Sequence, residues 1–177
     1  MRNPFSFFGR LFGRSRQPAN PYHRLRDQIF AVAPEQVGIT PEGVWGVVVE
    51  TGYAEGSATL IALADGTASM YFSTGGGVIG AGQHERPAAA AKELIRRAAD
   101  FVDECMPVNT YPLPQIGETR FYLFTPTDKL AAAAPESALA DREHPLSPLF
   151  FAAHELITQI RVVEEAKIRS GKGREAG

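Results

Sequence analysis

The stretch Ala58-Thr59-Leu60-Ile61-Ala62-Leu63-Ala64-Asp65-Gly66-Thr67-Ala68-Ser69-Met70-Tyr71-Phe72-Ser73 decides how the rest of the chain is read. Two runs rich in apolar, β-branched and aromatic residues, 58–64 and 67–73, flank Asp65-Gly66. Aspartate and glycine tolerate the positive φ of a type I′ reversal, so the sequence predicts an antiparallel hairpin. That prediction sets the direction of the second strand and constrains the role of the segment after it.

That segment is Ser73-Thr74-Gly75-Gly76-Gly77-Val78-Ile79-Gly80-Ala81-Gly82. Gly75, Gly77 and Gly80 have the G-x-G-x-x-G spacing of a dinucleotide-binding turn, in which backbone approaches a pyrophosphate at a helix N-terminus. That motif requires the first unit of a parallel sheet. Here the preceding strand belongs to an antiparallel hairpin, and the next helix opens only near Pro87. No strand carrying a ribose-binding acid comes about 20 residues on, since Asp100 and Asp103 fall within a helical pattern. A Walker-type loop also fails, because no Lys-Ser or Lys-Thr succeeds the glycines. The expected role is therefore a tight turn or close backbone packing. The alternative is an anion or small ligand bound at Gly75, Gly76, Gly77, Gly80 and Gly82 beside His84. No cofactor is implied.

Upstream of the hairpin, Val44–Glu50 reads as another strand, and Asn20-Pro21 as a cap and helix start. The helix it opens, 21–33, places Leu25, Ile29 and Val32 or Ala33 at helical spacing. Downstream, a helix from Pro87 to Cys105 carries Ala91, Leu94, Ile95, Ala98, Val102 and Cys105 on one face. Residues 119–125 form a fourth strand. Residues 126–145, with their alanine run, read as a long connection holding a weak strand or one helical turn. Ser147-Pro148 opens a last helix, in which Leu149, Ala153, Leu156, Ile160 and Val163 recur at alternating spacings of four and three. The predicted order is α-β-β-β-α-β-α. It describes an α+β fold with an antiparallel sheet of four or five strands covered by two or three helices. The domain reading is a leader over 1–20, one domain over 21–169 and a frayed tail over 170–177.

Composition agrees with a globular class. The chain has 177 residues, 44% hydrophobic and 21% charged, which suffices for one core without disulfides and excludes wholesale disorder. No run of apolar residues is long enough to span a bilayer. A single cysteine, Cys105, forms no internal bridge and reads as a small core residue, with a reducing cytoplasm as the default compartment. The histidines are His23, His84, His144 and His154. No two lie four apart and no His-Glu-x-x-His occurs, so neither a metal site nor a catalytic set is predicted.

Charge is unevenly placed. Residues 1–26 hold six arginines and no acid, and Lys167, Arg169, Lys172 and Arg174 make the other end basic. Between them, residues 27–166 set eight basic against nineteen acidic side chains. A body of that sign repels nucleic acid, whose binding rests on neutralised phosphates.

The leader carries the main functional expectation. Wound as a helix, Phe5, Phe7, Phe8, Leu11 and Phe12 fall in an arc of about 160°, with Arg2, Arg10, Arg14 and Arg16 outside it. Pro4, Gly9 and Gly13 make it a poor helix in water, so it would order only on binding. Such a segment suits an anionic bilayer surface or a hydrophobic groove on a partner, with Phe5, Phe7, Phe8, Arg10, Leu11, Phe12 and Arg14 as contacts. The sequence thus points to a non-enzymatic protein–protein interaction module, cytoplasmic or peripheral to a membrane, with homodimerisation as a further expectation. The alternative is a small-ligand or phosphate-binding domain, catalysis included, centred on the glycine loop and His84.

Overall fold

The computed structural model describes residues 20–174, with side chains to Ser170. The hairpin that the sequence predicts is present. β2 (Gly56–Leu63) and β3 (Ala68–Phe72) pair antiparallel, with Ala62 opposite Ala68 and Ala58 opposite Phe72. The turn differs in detail. Gly66 takes φ 96° and Asp65 keeps a negative φ, so this is not a type I′ reversal. A three-residue loop, Ala64-Asp65-Gly66, is closed by Gly66 N–H to Leu63 O (2.9 Å) and Leu63 N–H to Thr67 O (3.0 Å). The Asp65 carboxylate accepts from the Thr67 amide at 2.8 Å, a local bond that favours the bend.

Around this hairpin lies a seven-stranded antiparallel sheet of order β4-β3-β2-β1-β6-β7-β5. β1 is Gly46–Tyr53, β4 Gly77–Val78, β5 Met106–Val108, β6 Glu118–Phe124 and β7 Lys129–Pro135. The four helices of the described residues are α1 (Tyr22–Ala31), α2 (Glu85–Ala98), α3 (Glu136–Ala140) and α4 (Ser147–Arg174). The fold is α+β as expected, but four or five strands is too few and the order α-β-β-β-α-β-α is incomplete. β4, β5, β7 and α3 are the additions. β4 has only two residues, β5 contains Pro107, and β7 is built on Ala131–Ala134, which has little intrinsic strand preference. β7 is a strand because β6 pairs with it along its whole length, from Glu118 opposite Pro135 to Phe124 opposite Lys129. The same connection then turns into α3, so it holds both elements.

Alternation along the strands gives the sheet two faces. On the first, Val47, Leu60, Met70, Phe121 and Leu123 meet Ala91, Leu94 and Ala98 of α2 and Leu149, Phe150, Leu156 and Ile160 of α4. The stripes that the spacing marks on both helices are the ones buried here. Val163 is only half-buried, and Cys105 lies beyond α2, after a 3-10 segment. On the second face, Val48, Ile61, Leu63, Tyr71, Tyr122 and Phe124 are covered by α1 and the 108–112 segment.

Prolines blunt one edge. Glu136 N–H donates to Gly117 O and Thr125 N–H to Asp128 O, so even-numbered β7 residues face β6 and odd-numbered ones face outward. β5 covers Lys129 and Ala131, which turns Pro107 to the outside, and Pro135 ends the uncovered part of β7. Each proline stands where an added strand would need an N–H donor.

Candidate functional site

α1 buries Tyr22, Arg26 and Phe30, one residue per turn. Leu25 and Ile29, the stripe expected from spacing, are only partly buried. The helix begins where Asn20 Oδ1 accepts the Tyr22 amide (3.1 Å), and Asn20 Nδ2 donates to Ser73 O (2.5 Å). Arg26 then reaches the centre of β1, where the fully buried Glu50 faces it. Arg26 Nε donates to Glu50 Oε1 (2.7 Å) and Nη2 to Oε2 (2.8 Å), a planar two-bond pair. Thr59 Oγ1 donates to Glu50 Oε1 (2.9 Å). Its one proton being used, Tyr22 supplies the hydrogen in the 2.9 Å contact between its hydroxyl and Thr59 Oγ1. Arg26 Nη2 also donates to Tyr111 O (2.7 Å), and Tyr122 donates its hydroxyl proton to Pro112 O (3.0 Å). Phe30 stacks on Tyr111 with ring centroids 4.2 Å apart.

Electrostatics follow from this burial. Desolvation works against the Arg26 cation, but its hydrogen bonds to Glu50 and the nearby negative charge outweigh it and raise the guanidinium pKa. Burial pushes the phenols of Tyr22, Tyr71 and Tyr122 up, so they stay protonated. The arrangement is a closed network whose polar groups satisfy one another. Chemically it is a clasp, holding α1 in one register on the sheet.

The glycine loop lies beside this clasp. Gly75, Gly76, Gly77 and Gly80 take positive φ. Gly75 N–H donates to Phe72 O (2.9 Å) and Gly80 N–H to Ser69 Oγ (3.1 Å), while Gly77 pairs with Tyr71 in the sheet. A Cβ on Gly77 would collide with the Met70 carbonyl, and one on Gly82 with the Gly66 carbonyl of the hairpin turn. Neither position has room for a side chain. His84 is the half-buried residue that precedes α2, and its carbonyl accepts from Ala88 N–H (3.0 Å). Phe5, Phe7, Phe8, Arg10, Leu11, Phe12 and Arg14 lie outside the described residues. Their point of attachment does not: Asn20 bonds Ser73, so the leader is rooted next to the glycine loop.

Two other places hold titratable groups. A cavity of about 20 Å³ between α4 and the first face, room for one water, is bordered by Thr51, Tyr53 and His154. Burial lowers the His154 pKa and raises that of Tyr53. Cys105 is buried, which pushes its thiol up to about 11. Among the described residues no group of three or more His, Cys, Asp or Glu is placed to hold a metal, and no helix is long and apolar enough to cross a membrane.

Glu50 and Arg26 are what sequence reasoning misses. The signal was present: an acid directly after the apolar run Val47-Val48-Val49, and an arginine four residues from each of two aromatics on a helix. Comparison with known protein families, curated proteins and solved structures finds no match.

Proposed function

We propose that this protein acts by contact and not by turnover, as a folded binding module that its N-terminal residues attach reversibly to an anionic membrane surface. The observation that carries this reading is the clasp. Asn20 and the Arg26–Glu50 pair fix α1 on the sheet, so anything that residues 1–19 engage is coupled directly to the body. Arg26 is spent internally, which leaves Arg2, Arg10, Arg14 and Arg16 of the leader, with the exposed Arg24, to meet phosphate headgroups. Each basic residue near such a surface contributes about 1 kcal/mol. The phenylalanines add burial at the interface, enough for binding that salt reverses. The proline-blunted edge turns protein partners toward the faces and loops of the sheet, away from strand addition at β5 and β7.

The test compares the full chain with a form lacking residues 1–19, Asn20 being kept for its bonds to Tyr22 and Ser73. The full chain is expected to sediment with mixed phosphatidylserine–phosphatidylcholine vesicles at low salt and to be released at high salt. The shortened form stays in the supernatant and still unfolds in one cooperative thermal transition. Equal sedimentation of the two forms overturns the reading.

A further inference from the structure

Large apolar side chains are exposed in one region above all. Ile116 is 75% exposed, Met106 71% and Leu113 40%, and all three belong to the 106–116 stretch. Ile116 borders a surface depression of about 260 Å³ formed by residues 115–118 and 133–135. Ala133, opposite Arg120, and Ala131, opposite Tyr122, share the second face of the sheet, and Met106 stands across from Ala131. Ala131 and Ala133, between Ile116 and Met106, leave a shallow trough, lined at its Ile116 end also by Glu118, which pairs with Arg120 at 2.9 Å.

The trough shares an end of the sheet with the leader's root. Asn20 is bonded to Ser73 O, Ser73 N–H donates to Ser57 O, Ser57 stands opposite Gly52, and Gly117 N–H donates to Gly52 O. Three strand spacings separate Ser73 from Gly117, roughly 14 Å. Residues 13–19, when extended, reach about 23 Å. They can therefore cross the sheet end and bring Phe5–Phe12 to the trough.

Charge fits the same path. Residues 13–19 include Arg14 and Arg16 and no acid. Exposed Glu55 lies in the turn joining β1 and β2, midway along the crossing, and Glu136 opens α3 at its far end.

We propose that the trough bounded by Ile116, Ala133 and Met106 is the docking site for the chain's own residues 5–12, with Arg14 and Arg16 passing Glu55. The leader is then stored on the body when nothing else engages it. This does not depend on the membrane reading, because the dock is occupied in the absence of lipid.

The experiment measures thiol reactivity without vesicles. Ile116→Cys and, in a second variant, Ala133→Cys place a reporter in the trough, while buried Cys105 remains silent. Deleting residues 1–19 is expected to speed labelling of either reporter by about tenfold or more. Phe7→Ser with Phe8→Ser in the full chain should do the same with every arginine retained. Unchanged rates after deletion overturn the proposal, as does acceleration by deletion but not by the phenylalanine substitutions. Protection that rises with protein concentration also overturns it, because the occupant would then be a second copy's leader.

Discussion

On one face of the sheet, Leu94, Leu149, Leu156 and Ile160 meet Val47, Leu60 and Phe121; on the other, a ten-residue helix is held through a guanidinium and a carboxylate. The first arrangement gains stability in proportion to apolar area and tolerates small shifts of register. The second gains little from the charges themselves, since removing both from water offsets most of their attraction. What the pair supplies is position. Only one placement of α1 lets Arg26 meet Glu50 while Tyr22 reaches Thr59 and Phe30 reaches Tyr111. One face is held by bulk, the other by fit.

The largest effect is expected from removing one partner of the pair. Arg26→Ala strands a buried carboxylate and the Tyr111 carbonyl, and is expected to cost about 3–5 kcal/mol in urea unfolding. Replacing both charges, Arg26→Met with Glu50→Leu, should recover much of that loss, because no charge is left unpaired, while the Tyr111 carbonyl still lacks its donor. If the double variant is as unstable as the single one, the pair stabilises outright and the contrast fails. On the first face, Leu156→Ala should cost about 2–5 kcal/mol, but as a cavity that no charge substitution relieves.

The smallest effect concerns pH. Burial lowers the folded-state pKa of His154 below the ordinary 6.5, so on acidification the unfolded chain takes up this proton first. Stability from His154 is therefore complete above that value and declines as pH falls below it. Among the residues bordering its cavity, Tyr53 is the other titratable one, and it stays protonated throughout this range. His154→Gln should lessen the drop in thermal midpoint between about pH 7.5 and about pH 5.5. An unaltered drop removes His154 from the account.

Much of the fold was legible because local and global signals agree. Asp65-Gly66 between two apolar runs marks the hairpin, and the stripes on α2 and α4 are read from spacing alone. What escaped was decided at long range. Ala131–Ala134 would suit a helix and becomes a strand only because β6 lies beside it. Arg26 looks like a solvated charge until Glu50, 24 residues on, is placed opposite it. At the glycine loop, the sequence shows that positive φ is needed but not what the amides bond, and Ser69 Oγ and Phe72 O become visible only in the folded chain.

Gly52 has a consequence for ancestry. A methyl group there would run into the carbonyl of Gln115, where the 111–117 segment crosses β1. Descendants that keep this crossing must keep residue 52 bare, and the collisions at 77 and 82 impose the same demand. Kin too diverged to align elsewhere would still betray themselves by three glycines at intervals of 25 and 5 positions.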